Sequence, residues 1–509
     1  MGHKRHTRPR PRRRQRRVER VGSTALGEHF HLIGVAGTGM GALAGLLVKA
    51  GHRVTGSDTA FHPPMGPALE RWGVETRPGW DAANLQPAPD RVVVGNVCRA
   101  DNPEAQAALG AGLPVTSMPQ LLGELFLAER PALVVAGTHG KTTTTSLLAH
   151  VLQSTGLDPG WLIGGVPVQG ESFRVGTGPF VIEGDEYDSA FFEKTPKFWH
   201  YHPRAAILTA VEHDHVDIYP DEASYLAAFE GLIERIPAEG LLVAYAGDPR
   251  VRALARQARC RVSYYALEGD DCGDVSAIWS GALSRGRAGD EGAPLAMDVY
   301  GGGSFCGRIQ LPLPGAHNAR NVLAALALAT EAAGADLASS LRAVPAFPGV
   351  RRRQERMAVV HDPAGDIRVY DDFAHHPSAV RETLAALRER HPDGRLVAVF
   401  EPRSATASRR THQAEYPAAF AAADAVVVAP VGRSAIPESE RLDVAAIAEA
   451  LREAGTDAVA PADAGGVVQE ALARLAPGDT VVLMSNGTFG DVPATLVLRL
   501  TERLFGGAS

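Results

Sequence analysis

The apolar positions of this chain fall into three successive sets of short, near-continuous runs. Stretches with helical spacing separate the runs, as a doubly wound, mostly parallel α/β sheet requires. The first set opens with a strand over 30–35, then a glycine cluster, a helical pattern over 42–50 and a strand over 53–58. Residues 91–96 add another buried strand, so the segment to about residue 129 reads as a Rossmann-like unit. The pattern then restarts, with a strand over 132–136, a glycine-rich turn and a helix over 143–153. Strands over 180–183 and 205–209 and an amphipathic helix over 224–235 follow, which places a domain boundary near Pro131. Beyond the proline-marked stretch 344–349, strands over 368–370, 396–400, 425–428 and 480–484 alternate with helices over 379–390 and 444–454. The expected class is therefore α/β with three units over 28–129, 130–347 and 348–509, the last again doubly wound and Rossmann-like.

Length agrees, since 509 residues exceed what one core usually supports and give roughly three domains as a prior. With 45% hydrophobic and 21% charged residues the chain is of ordinary globular composition, and no apolar run approaches the roughly 20 residues of a membrane span. Cys98, Cys260, Cys272 and Cys306 form no CxxC pair, which argues against a zinc ribbon, a redox motif or a disulfide framework and fits a reducing cytoplasm. Charge changes the picture at one end. Residues 1–20 carry ten Lys and Arg against Glu19, a local charge of +9 in a chain whose total is −7, so the remainder stands at −16. That arm has no aromatic residue for base stacking and no apolar core for export, so residues 1–27 are expected to be a disordered basic arm, with no nucleic-acid partner.

Two glycine-rich turns carry the candidate chemistry. Gly37-Thr38-Gly39-Met40-Gly41-Ala42 lies between a strand and a helix, where bare backbone can approach a diphosphate at the helix N-terminus. Asp58 follows at a spacing that lets an acidic residue meet a ribose hydroxyl, which leaves a dehydrogenase open as a reading. Gly137-Thr138-His139-Gly140-Lys141-Thr142-Thr143 is more informative: stacked amides, an ammonium and a hydroxyl are what a magnesium polyphosphate needs. Val135 stands where the full P-loop has its first glycine, so this is a shortened variant.

Glu183 ends the strand over 180–183 and opens an acidic cluster through Asp188. It is the candidate Mg2+ ligand that a bound nucleotide calls for. Glu212-His213-Asp214-His215 offers imidazole beside carboxylate, which out of context reads as a zinc site. The nearby lysine loop favours a Mg2+ nucleotide instead.

Taken together these stretches resemble the Mur ligase superfamily, whose mark is a shortened Gly-Thr-x-Gly-Lys-Thr loop. Gly315-Ala316-His317-Asn318-Ala319-Arg320-Asn321 is similar to its adenine-side motif, Arg351-Arg352-Arg353 to its arginine step into the last domain, and Asp371-Asp372-Phe373-Ala374-His375-His376-Pro377 to its C-terminal loop. The resemblance runs from about His29 to about Leu504. Two branches share these features, one adding L-alanine and one adding a tripeptide in recycling. Glu186-Tyr187-Asp188, Glu401-Pro402-Arg403-Ser404 and Met484-Ser485-Asn486-Gly487 resemble the tripeptide branch.

The resemblance implies an N-terminal UDP-sugar domain, a central P-loop-type ATPase domain and a C-terminal ligase domain. It further implies a cytoplasmic ATP- and Mg2+-dependent ligase that forms an acyl phosphate on UDP-N-acetylmuramate before a cell-wall peptide attacks, acting as a monomer or weak homo-oligomer. By resemblance Lys141 holds the β- and γ-phosphates. Thr142 and Glu183 bind Mg2+, and His215 positions a second metal. His317, Asn318, Asn321 and Arg352 serve the nucleotide; Asp371 and His375 complete the site from the third domain. Gly37, Thr38, Gly39, Met40, Gly41 and Asp58 face the UDP diphosphate, and Arg403, Ser404 and Asn486 the incoming peptide.

Overall fold

The computed structural model of the chain describes residues 27–284, 295–432 and 436–505, so the basic arm before Gly27 lies outside the described residues. Three sheets follow in chain order. The first is wholly parallel, in the order Glu75–Pro78, Arg53–Asp58, His29–Ile33, Arg91–Val94, Val115–Ser117. The central sheet has ten strands. Its parallel core runs Trp279–Ser284, Arg261–Leu267, Leu241–Tyr245, Pro203–Leu208, Ala132–Ala136, Phe180–Glu183, Gly160–Leu162, and antiparallel strands flank it on both edges. The third sheet orders Glu355–Val360, Ile367–Asp372, Thr480–Met484, Leu396–Phe400, Ala425–Val428 and Asp457–Val459, parallel except at its first pair.

Strands such as Ala132–Ala136 and Leu396–Phe400 are buried along their whole length because helices cover both faces, which is why their sequences read as continuous apolar runs. One apolar cluster joins the first unit to the central one: Leu43 and Leu47 of the helix Thr38–Lys49 belong with Phe173, Phe180 and Leu208, and Trp72 meets Phe173 edge-on at 4.8 Å. On the other face of the central sheet the helices Lys141–Ser154 and Ala316–Glu331 share a second core. The third sheet buries each face separately. No helix among the described residues is long and apolar enough to cross a membrane. Contacts between the domains fall just beyond the carboxyl ends of the central strands, where Arg353 reaches Thr142 and Thr406 reaches the His215 amide, the end at which doubly wound sheets bind ligands.

Candidate active site

The strand Ala132–Ala136 ends in Gly137, whose φ of 130° and close approach to Thr209 Oγ1 exclude a side chain. Gly140 (φ 79°) caps the helix Lys141–Ser154, and a Cβ there would meet Asn321 Oδ1 at 2.6 Å. The amides of Lys141, Thr142 and Thr143 thus open a helix, with no partners inside it, and the positive end of the helix dipole lies at these interdomain contacts.

Lys141 Nζ donates to Glu186 Oε1 and Oε2 at 2.9 and 2.7 Å. Glu186 has no exposed surface, and the same Oε1 lies 3.0 Å from His215 Nε2 and accepts from the Tyr225 hydroxyl at 3.3 Å. Burial works against the charge of all three groups, but mutual attraction prevails. Lys141 and His215 are raised, chiefly by Glu186, and Glu186 is lowered, chiefly by Lys141. Glu183 behaves differently. It accepts from Thr142 Oγ1 at 2.9 Å and from the Gly164 amide at 2.9 Å, yet burial pushes its carboxyl up because Lys141 offsets only part of the cost. A half-buried carboxylate whose charge is only partly offset, with a hydroxyl oxygen beside it, fits a hard divalent cation such as Mg2+.

The third domain closes on this cluster. Thr406 Oγ1 accepts from the His215 amide at 3.0 Å, and His215 sits at φ 56°. Asp214 Oδ1 accepts from the same amide at 2.7 Å, while its Oδ2 lies 3.8 Å from His375 Nε2; the two imidazoles, against burial, hold Asp214 well below the usual carboxylate range. Arg353 donates to Thr142 Oγ1 at 3.1 Å and stacks over Phe373 at 4.4 Å.

The other expected residues make contacts within the protein. Arg352, expected at the nucleotide, has φ 57°, pairs with Asp371 Oδ2 at 3.1 Å and the Ser485 carbonyl at 2.6 Å and lies 5.5 Å over the Phe373 ring; its neighbour Arg353 makes the contact with the loop. Burial pushes Asp371 up to about 6 despite that pairing. Asn318 donates to the Pro314 carbonyl at 2.8 Å and accepts from Asn321, and His317 meets Gln354 at 3.1 Å, so this motif ties loop, helix and linker together. Thr138 Oγ1 donates to the Glu212 carbonyl at 3.0 Å, and His139 Nε2 lies 2.8 Å from Glu212 Oε2.

In the first domain Gly37, Thr38 and Gly39 form an open turn, whereas Gly41 packs on Met65 and the Met40 side chain is buried in the core. Asp58 accepts from the Ala36 amide at 2.9 Å, just before the turn, and from the amide of its own neighbour Thr59 at 2.7 Å. Arg403 is half-exposed, 3.6 Å from Glu401 and pressed on Gly487. Ser404 is buried and caps a turn by accepting from the Ala407 amide, and the buried Oδ1 of Asn486 has no hydrogen-bond partner among the described residues. Sequence reasoning missed Glu186, Arg353 and Thr406. Glu186 lay in a recognised acidic cluster and Arg353 in a recognised arginine run, but Thr406 carried no signal.

Comparison with known proteins agrees with this layout. Residues 29–130 match the Mur ligase family catalytic domain, 135–329 the Mur ligase middle domain and 355–487 the Mur ligase glutamate ligase domain. The UDP-N-acetylmuramate--L-alanyl-gamma-D-glutamyl-meso-2,6-diaminoheptandioate ligase of Haemophilus influenzae is 37% identical over 477 residues, 93% of this chain and 99% of the relative. Among solved structures, a murein peptide ligase of Psychrobacter arcticus superposes with a TM-score of 0.68 at 33% identity, covering 93% of this chain and 99% of its own. The UDP-N-acetylmuramate-alanine ligase of Thermotoga maritima superposes with a TM-score of 0.75 at 25% identity, covering 94% and 100%. Three consecutive domain matches and an alignment spanning nearly the whole chain place it in one family: the chain belongs to the Mur ligases.

Proposed function

We propose that this chain is an ATP-dependent ligase that joins the carboxylate of UDP-N-acetylmuramate to the amine of L-Ala-γ-D-Glu-meso-diaminopimelate, releasing ADP and phosphate, in the recycling of cell-wall peptides. The observation that carries the proposal is the buried Lys141–Glu186–His215 array at the open end of a phosphate-type turn, with Arg353 and Thr406 docked on it from the linker and third domain.

A carboxylate is a poor electrophile until phosphorylation turns one of its oxygens into a leaving group, so the residues must first align a triphosphate with the sugar acid. Lys141 and the amides that open its helix grip the terminal phosphates, and Arg353 adds a second positive charge beside Thr142. Thr142 and Glu183 would hold one Mg2+, and His215 with Glu186 a second. Bound there, the metal neutralises charge on the transferring group. The open turn at Gly37, Thr38 and Gly39 takes the diphosphate of the sugar nucleotide at a helix N-terminus. Arg352 holds Asp371, and Asp214 holds His375, so closure of the third domain brings the amine to a site already organised.

Two features support the tripeptide as amine. Tyr187, a residue of the tripeptide-type motif, packs its ring 4.3 Å from the His215 ring, and the half-exposed Arg403 offers a guanidinium suited to peptide carboxylates. L-Alanine as amine is a second reading, favoured by the TM-score of 0.75 to an alanine ligase. Supplying ATP and UDP-N-acetylmuramate with either amine and measuring phosphate release separates the two. The tripeptide is expected to give a kcat/KM at least about a hundredfold higher, and comparable rates with L-alanine would overturn the assignment.

A further inference from the structure

His139, Glu212 and His376 converge beside the phosphate-side array from two domains. His139 lies on the glycine-rich turn, Glu212 follows the strand Pro203–Leu208, and His376 caps the helix Pro377–Arg390 of the third domain. One oxygen, Glu212 Oε2, lies 2.8 Å from His139 Nε2 and 3.3 Å from His376 Nδ1, and the three ligand atoms all fall within 4.8 Å of one another. Two imidazole nitrogens aimed at a single carboxylate oxygen leave a small polar triangle that one cation can serve from its centre. A zinc-class ion with bonds near 2.0–2.2 Å to N and O, in tetrahedral geometry, sets its ligand atoms about 3.3–3.6 Å apart, which the 3.3 Å Glu212–His376 spacing meets and the 2.8 Å Glu212–His139 spacing reaches with a small side-chain shift.

The surroundings hold the triangle in place. Glu212 Oε1 accepts from Ser378 Oγ at 2.9 Å, and the Glu212 amide donates to Thr138 Oγ1 at 3.0 Å. His376 is 5% exposed, and its Nε2 is buried without a hydrogen-bond partner among the described residues; its Nδ1 accepts a long 3.4 Å contact from the Ser378 amide, which a bound ion would displace. His139 and Glu212 keep side-chain exposures of 25% and 31%, which leaves a route for an ion and room for water as a fourth ligand. Two imidazoles and one carboxylate suit a transition ion, whereas the oxygens of Thr142 and Glu183 suit Mg2+. We propose that His139, Glu212 and His376 form a binding site for a divalent transition cation of the zinc class, which pins the third domain to the nucleotide-side turn when filled.

The test uses the full-length, metal-free protein without nucleotide or sugar substrate, so its outcome is independent of the ligase proposal. Co2+ is titrated in by visible absorption with excess Mg2+ present to occupy oxygen sites. One equivalent is expected to give the intense bands of low-coordinate Co2+, abolished by Zn2+. His376→Gln and Glu212→Gln should each weaken binding at least about tenfold. His412→Gln, whose ring abuts His376 at 4.5 Å but contributes no ligand atom, should leave it unchanged. His139→Gln, at a partly exposed position, replaces either ligand variant that fails to fold. Absence of the bands, or bands unaltered by all of the ligand substitutions, overturns the proposal.

Discussion

Lys141 places its ammonium 2.7 Å and 2.9 Å from the two oxygens of Glu186, and Glu186 is wholly buried, so each is the other's principal countercharge until a substrate arrives. Replacing Glu186 by Gln keeps the shape but leaves Lys141 beside a neutral amide. Breaking a buried pair in this way costs about 3–5 kcal/mol. Glu186→Gln is therefore expected to lower the thermal midpoint by several degrees and, by disordering Lys141 and His215, to cut ADP formation about a hundredfold or more. Differential scanning fluorimetry and a phosphate-release assay check both halves.

Asp371 supplies a pH dependence whose sign can be worked out. Its carboxyl titrates near 3.8 in an unfolded chain and is pushed up to about 6 here by burial, so the folded state keeps the proton longer. Its contribution is neutral below 3.8 and turns progressively unfavourable to folding as pH rises from there to about 6. The ion pair with Arg352 exists only in the ionised form. Turnover is thus expected to fall as pH drops below about 6, and Asp371→Asn to lose that acid limb along with most activity. A kcat/KM profile from phosphate release tests this.

Thr406 reaches across the domain interface to the His215 amide at 3.0 Å. Removing one such bond is worth about 0.5–1.5 kcal/mol, or about 2- to 12-fold in rate. Thr406→Val should lower kcat by that factor with little change in the KM for ATP, and Thr406→Ser should restore it. Steady-state kinetics of the two variants decide.

The adjacent arginines are predicted to separate cleanly. Arg353 donates to Thr142 Oγ1, whereas Arg352 serves Asp371 and Ser485. Arg353→Ala should weaken nucleotide binding by about tenfold or more, as loss of a charge-assisted contact implies. Arg352→Ala should leave nucleotide affinity nearly intact and alter the acid limb instead. Titration with a fluorescent ATP analogue distinguishes them.

What could be read in advance follows from locality. The turn from Gly137 to Thr143 was legible because strand, glycines and helix are contiguous, and the runs 132–136, 396–400, 425–428 and 480–484 were legible because strands buried on both faces are continuous in sequence. Leu241–Tyr245 carries the same apolar signal and went unrecognised, and the antiparallel strands Ala296–Gly301 and Ser304–Gln310, the latter at the sheet's edge, lack it because part of their surface is open. Which acid faces Lys141 was not legible: Glu183 and Glu186 sit three positions apart in one cluster, and only the fold turns Glu186 toward the ammonium and Glu183 toward Thr142. The choice between Arg352 and Arg353 depends likewise on the positive φ at Arg352, and Thr406 acquires its role solely from the docking of the third domain.

The most direct measurement is ADP formation by the wild-type chain and its Lys141→Ala variant, with UDP-N-acetylmuramate and the tripeptide present together and with each omitted in turn. Wild-type ADP release is predicted to require both substrates and to fall at least about a thousandfold in the variant, since the lysine is the main charge on the terminal phosphates. ADP production undiminished by Lys141→Ala, or indifferent to the sugar acid, would contradict the account.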